Sequence, residues 1–163
     1  LPLAEGKGWN YEGGTRVCQL VRWPGVVPAG STCDELVQTC DFYPTFLEAA
    51  GLPLMPTQHV DGESMMSLLS GQGGLARDAI FWHYPHYGNQ GGTPGSSVRA
   101  GDYKLIEFFE DNRVELYNLR EDISEETDLA QAEPAVTARL RALARRKDLV
   151  FSARDVLGLQ FWP

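Results

Sequence analysis

The spacing of apolar and polar positions divides this chain into short segments of differing period. Residues 16–23 (RVCQLVRW) concentrate branched and aromatic side chains and stop at Pro24-Gly25. That pattern predicts a strand followed by a turn. Residues 26–31 form a Pro/Gly/Ser connector. Asp41 then introduces FYPTFLEAAGL. Asp41 can cap a helix, Pro44 suits its first turn, and Gly51 ends it. Phe42, Phe46 and Leu47 form a stripe expected to pack in a core. Residues 52–57 are proline-rich and extended, and Asp61-Gly62 is a turn. SMMSLLS at 64–70 predicts a short helix stopped at Gly71, with Met65, Met66, Leu68 and Leu69 as core residues. Residues 72–74 form a surface loop.

Period two governs much of the second half. AIFWH at 79–83 reads as a strand opening onto YPHYGNQGGTPGSS, a long irregular stretch. Residues 97–100, 103–109 and 113–119 predict three more strands. Turns at Gly101-Asp102 and at 110–112 join them into an antiparallel meander. Pro134 opens a final helix with Val136, Leu140 and Leu143 on one face. Arg139, Arg141, Arg145, Arg146 and Lys147 fall mostly on its other sides, the last three favouring the helix C-terminus. Residues 151–163 form a tail whose Phe161 and Trp162 suggest docking. No internal repeat is visible.

Composition narrows the classes. The chain has 163 residues, 43% hydrophobic and 22% charged, which fits one ordinary globular domain with a real core. Its formal net charge of −8 argues against a nucleic-acid surface. Attraction of an anion must therefore be local. No apolar run approaches a membrane span. The first residue is Leu1, and no targeting signal is visible, so the chain reads as a fragment or processed piece. The three cysteines, Cys18, Cys33 and Cys40, show no CxxC spacing. Cys18 reads as a small buried hydrophobe. Cys33 and Cys40 could pair, which sequence leaves open.

The candidate chemistry begins at residues 6–16, GKGWNYEGGTR. Glycines let backbone approach a ligand closely. A lysine between two of them is a flexible point charge suited to an oxyanion. On chemistry alone the plainer reading of Lys7 is a solvated loop lysine. The irregular stretch after residue 83 holds His83, Tyr84, His86, Tyr87, Asn89 and Gln90, all able to meet a polar ligand. It reads either as a hydrogen-bonded aromatic loop or as a substrate-contacting one. Asp111-Asn112 suits a hairpin turn. The acidic residues Glu121, Asp122, Glu125, Glu126 and Asp128 lack calcium-loop spacing and read as a solvated turn.

GKGWNYEGGTRVCQLVRWPG closely resembles a segment of type I sulfatases usually written GKGxxYEGGxRVPxxxxWPG. DGESMMSLLSG resembles that family's DGxSLxPLLxG. VRAGDYKLI and ELYNLREDISEETDLA resemble its closing pattern, and HYPHYGNQGGTPGS resembles what several members carry before it. The likeness runs over roughly residues 5–148, in the family's order. Cys18 departs from a common proline, Ile123-Ser124 from a common turn pair, and Asp128 from a common Asn.

The resemblance implies an α/β fold, α+β for the fragment itself: the C-terminal part of a sulfatase of the alkaline-phosphatase-like superfamily. One strand of the large catalytic sheet would be followed by a small antiparallel sheet packed with a C-terminal helix. Residues 1–75 would end the catalytic domain and 76–163 form the C-terminal subdomain. Lys7 stands at the position of the lysine that contacts sulfate and assists departure of the ester oxygen. His83 and His86 become substrate-site candidates. The implied cofactors are a divalent cation, usually calcium, and a formylglycine made within C/S-x-P-x-R. Their residues are expected upstream, with no metal ligand here. The implied partners are a sulfate-ester substrate and an upstream catalytic half of the same enzyme. Without that half, residues 16–23 and the helix at Asp41 would expose apolar surface. The resemblance allows a periplasmic or secreted setting. Two alternatives stay open: a non-catalytic anion- or glycan-binding module, and part of a phosphonate or phosphodiester hydrolase.

Overall fold

A computed structural model describes residues 2–148. The expectations for the tail at 151–163 lie outside them, as do those for the side chains of Arg146 and Lys147. The described residues form two compact units, one of residues 2–17 and 81–148, the other of residues 18–80.

The first unit is built on a four-stranded sheet of order β1-β2-β3-β4. Its strands are β1 (Ala79–Tyr84), β2 (Gly95–Ala100), β3 (Tyr103–Phe108) and β4 (Val114–Asn118). The chain enters this unit within β1. β2 pairs antiparallel with β3, with Val98 opposite Leu105 and Arg99 opposite Lys104. β3 pairs antiparallel with β4, with Lys104 opposite Tyr117 and Leu105 opposite Leu116. The predicted meander is therefore present.

Side chains alternate along a strand, and directly paired residues share a face. Val98, Leu105, Glu107 and Leu116 thus occupy one face. A helix, α4 (Pro134–Asp148), packs on β2 and β3 there. It buries Leu140 and Ala144, while Val136 and Leu143 are only half-buried. Arg141 and Arg145 donate to Glu107 Oε1 at 2.6 and 3.2 Å. Ser97, Arg99, Lys104, Ile106, Phe108, Glu115 and Tyr117 occupy the other face. Ile106, Phe108, Tyr117 and Leu119 form a core cluster that receives Tyr11 and Ile123. Both faces of β3 are covered, so its burial is nearly continuous, Lys104 and Glu107 included.

The second unit contains α2 (Phe42–Ala49), preceded by a 3-10 turn at Thr39–Asp41, and α3 (Met66–Leu69). Its organising contact is ionic. Asp41, fully buried, forms a bidentate pair with Arg77. Asp41 also accepts the amides of Gln38 and Glu63 at 2.6 and 2.9 Å. Its side chain is therefore committed elsewhere and makes no cap bond to α2. Gly62 lies against Cys40, where a Cβ would stand 2.3 Å from the carbonyl oxygen.

Several expectations are corrected. Residues 16–23 form no strand. Val17 and Leu20 are 85% and 93% exposed. A strand is completed by hydrogen bonds to a neighbour, and no described segment lies beside this one as a strand partner. The large-sheet strand expected from the resemblance is thus not formed within this chain. The α2 stripe does not pack as a core: Phe46 is 65% exposed, and Pro44 and Thr45 are the buried residues. Of Met65, Met66, Leu68 and Leu69, only Met65, which precedes α3, is buried. Cys18 is exposed rather than buried; the pairing of Cys33 and Cys40, which sequence left open, is not made, and both are free thiols. The expected exposure of apolar surface at 16–23 and at the helix after Asp41 is present.

Candidate active site

The lysine loop is held by residues just after it. α1 (Glu12–Thr15) is a single helical turn. Tyr11 precedes it and enters the core cluster, its ring 6.2 Å from Phe108 and 6.3 Å from Tyr117. The hydroxyls of Tyr11 and Tyr117 both donate to Glu115 Oε2, at 2.7 and 2.9 Å. Glu115 also pairs with Arg113, whose guanidinium lies 3.9 Å above the Phe108 ring. Burial raises the pKa of both tyrosines. They stay protonated donors across the neutral range.

Glu12 is buried at 1% exposure and reaches the same sheet face. Its Oε1 accepts from Lys104 Nζ at 2.9 Å, and its Oε2 lies 3.3 Å from Arg99 and 3.6 Å from Arg16. Lys104, also fully buried, donates to Thr15 Oγ1 at 3.1 Å and lies 3.3 Å from Glu125 Oε1. Glu125 Oε2 accepts the Glu12 amide at 2.6 Å. Burial raises the Glu125 pKa, against the pull of Lys104. Glu125 is therefore no part of a solvated turn. It is 7% exposed and adopts φ 55°, turning its carboxylate inward. Asp122 and Asp128, by contrast, cap nearby backbone amides as expected of turn residues.

Gly13 and Gly14 close the anchor. A Cβ on Gly13 would stand 2.3 Å from the Ala4 carbonyl, and one on Gly14 2.1 Å from that of Trp9. The α1 turn thus lies flush on the backbone of residues 4–9. On the far side, Gly91 meets the Trp9 indole, and a Cβ on Gly92 would stand 2.1 Å from the Gly8 carbonyl. Gly8 itself has φ 98°. The loop is therefore clamped between α1 and the glycine-rich stretch after β1.

Lys7 is the exception within this packing. It is exposed, and its ammonium makes no hydrogen bond or ion pair with any described residue. His83 stands on β1, its Nδ1 2.7 Å from Ser96 Oγ and its ring 5.7 Å from Phe109. Ser96 is opposite Glu107, so this contact lies toward the α4 face. Trp82, one residue earlier, instead faces Lys104 at 5.7 Å. His86 is exposed, with its ring edge-on to Tyr84 at 5.6 Å. Lys7 bonds to neither histidine. The structure links Lys7 to the stretch after His86 through the Gly8–Gly92 contact.

Sequence reasoning missed Glu12, Lys104 and Glu125 as partners. A signal existed for one: Lys104 sits inside an apolar strand run, YKLIEF, where a lysine needs a buried counter-charge. Among the described residues no group of three or more His, Cys, Asp or Glu side chains could hold a metal ion. The described residues therefore do not fit the implied cation. Asp111 and Asn112 lie in the β3–β4 turn, Asn112 at φ 58°. No described helix is long and apolar enough to cross a membrane.

Comparison with known proteins identifies the class. Residues 6–147 match the family model for N-sulphoglucosamine sulphohydrolase, C-terminal. The chain belongs to that family, and so to the C-terminal region of sulfatases of the alkaline-phosphatase-like superfamily. It is 40% identical over 144 residues to a sulfatase of Formosa agariphila, covering 82% of this chain and 26% of that protein. It is 41% identical over 100 residues to human arylsulfatase A, covering 61% and 19%. A solved structure of a protein in complex with its substrate, D-glucosamine-2-N,6-O-disulfate, superposes with a TM-score of 0.70 at 27% identity. That match covers 82% of this chain and 28% of the other. The chain thus spans about a quarter of the length of such relatives.

Proposed function

We propose that this chain supplies the sulfate-facing lysine of a sulfate-ester hydrolase, with Lys7 donating to the ester oxygen as it leaves sulfur. The observation that supports this is a contrast within one loop. Tyr11, Glu12, Gly13 and Gly14 are spent on packing, whereas Lys7 is exposed and uncommitted on the backbone they brace. A donor on pre-positioned backbone needs little reorganisation when charge grows on a leaving oxygen.

Residues 1–75 would then complete a catalytic domain, and 76–163 would form the subdomain following it. The nucleophile and cation belong to an upstream half in this reading. No C/S-x-P-x-R run occurs in the 163 residues. Of the two histidines, His86 has the stronger support, because it precedes the glycines that touch the lysine loop. His83 is already bonded to Ser96.

The test uses the complete polypeptide that carries this region. Lys7→Ala is expected to lower kcat for an aryl sulfate by about 10²–10³-fold, the usual cost of losing one charge-stabilising donor. Lys7→Arg should recover part of it. An unchanged kcat overturns the assignment. The 163-residue chain alone is expected to turn over no aryl sulfate, and turnover by it would sink that part of the proposal. Sulfated-ligand binding without turnover in the complete polypeptide would favour a binding module instead.

A further inference from the structure

We infer that Glu12 and Lys104 are positioning residues for Lys7, holding its loop against β3 through a buried, charge-balanced cluster. The inference rests on the reading of Lys7 as the sulfate-facing lysine.

The cluster contains two carboxylates, Glu12 and Glu125, and two cations, Lys104 and Arg99, with half-exposed Arg16 at its edge. Buried ion pairs are weak general stabilisers, because desolvation opposes the attraction. They do favour one arrangement over its neighbours, since a shifted partner leaves a charge unpaired. Here that arrangement is the seat of α1. Lys104 bonds Glu12 at its start and Thr15 at its end, at 2.9 and 3.1 Å. Glu125 takes the amide of Glu12. Side chain and backbone of one residue are therefore fixed from β3 and from the turn after β4.

Movement of α1 would pass to the lysine loop directly. Gly13 and Gly14 leave no space between α1 and the carbonyls of Ala4, Gly6 and Trp9. The Gly13 amide donates to Ala4 at 2.9 Å, and the Trp9 amide to Gly6 at 3.1 Å. Lys7 lies between these two closures. A mechanical path thus runs from Lys104 through Glu12 and the two glycines to the backbone that carries Lys7. None of these residues needs to touch substrate.

Two measurements test this. In the 163-residue chain, hydrogen exchange of the Gly13 and Trp9 amides is compared with that of the Phe108 amide, which donates to Arg113 where the β3–β4 turn closes. Glu12→Gln keeps the shape and one acceptor but removes the charge. It is expected to speed the two loop amides by about tenfold or more while Phe108 is unchanged, as local opening uncoupled from global unfolding. Equal acceleration of all three, or of none, overturns the inference. Arg99→Gln, at the wetter edge of the cluster, gives a milder version should Glu12→Gln fail to fold. In the complete polypeptide, Glu12→Gln should lower kcat by about tenfold or more with little change in KM, as misplacement of a reacting group does. In a Lys7→Ala background the same change should cost almost nothing, because the group it positions is gone. An equal cost in both backgrounds overturns the inference. If Lys7→Ala alone leaves kcat intact, the reading of Lys7 fails, and the exchange result decides separately whether the loop is braced.

Discussion

Lys104 shows how much one residue's meaning depends on what faces it. In sequence it is a lysine inside the mostly apolar strand YKLIEF, and it is fully buried. It survives there because Glu12, Glu125 and Thr15 surround its ammonium. Asp41 and Arg77 repeat the principle in the other unit. Removing one partner of a buried pair leaves an uncompensated charge, at a cost of about 3–5 kcal/mol. Arg77→Met is therefore expected to lower unfolding free energy by about that amount, read from urea denaturation. A midpoint within error of the wild type would show that solvent reaches Asp41. Gly14 gives a steric counterpart. Gly14→Ala places a Cβ against the Trp9 carbonyl, and backbone must move to admit it. Overpacking of this kind costs about 1–3 kcal/mol, and Trp9 fluorescence should shift with it.

At the scale of elements, α4 and β3 are joined by packing and by two ion pairs that share Glu107. Burial alone would raise the Glu107 pKa, but hydrogen bonds and charge from Arg141 and Arg145 lower it below its ordinary 4.5. A depressed carboxylate contributes stability above its unfolded pKa and loses it as pH falls through the folded one. The attachment of α4 should thus be fully present at neutral pH and weaken on acidification below about 4.5. Glu107→Gln should lower the urea midpoint at pH 7, with the gap to wild type closing in acid. A gap independent of pH would mean that Leu140 and Ala144 carry the attachment alone. The elements that sequence placed well are those whose partners are near in sequence. β2, β3 and β4 are joined by tight turns, so period two and turn residues sufficed. Residues 16–23 have equally strong strand character and form no strand, because composition cannot supply a neighbour.

For the whole molecule, the informative feature is unsatisfied apolar surface. Leu20, Phe46, Leu52 and Leu54 are each about half exposed or more. Exposed apolar residues gathered in one part of a chain mark a surface that something else covers. The isolated chain is expected to bind a hydrophobic dye and to self-associate, and Leu20→Ser with Phe46→Ser should reduce both without lowering the thermal midpoint of the sheet unit. Light scattering and dye fluorescence check this, and a monodisperse, dye-silent wild type would refute it. The sequence by itself determined the meander, the final helix and the lysine loop's family, because each depends on local period or on a contiguous run of residues. Only tertiary structure decided that Glu12, Lys104 and Glu125 share a buried cluster, that residues 16–23 form no strand, and that Lys7 lies exposed on a braced loop. Those outcomes depend on contacts between residues far apart in the chain, and a local pattern does not say which charge will find which partner.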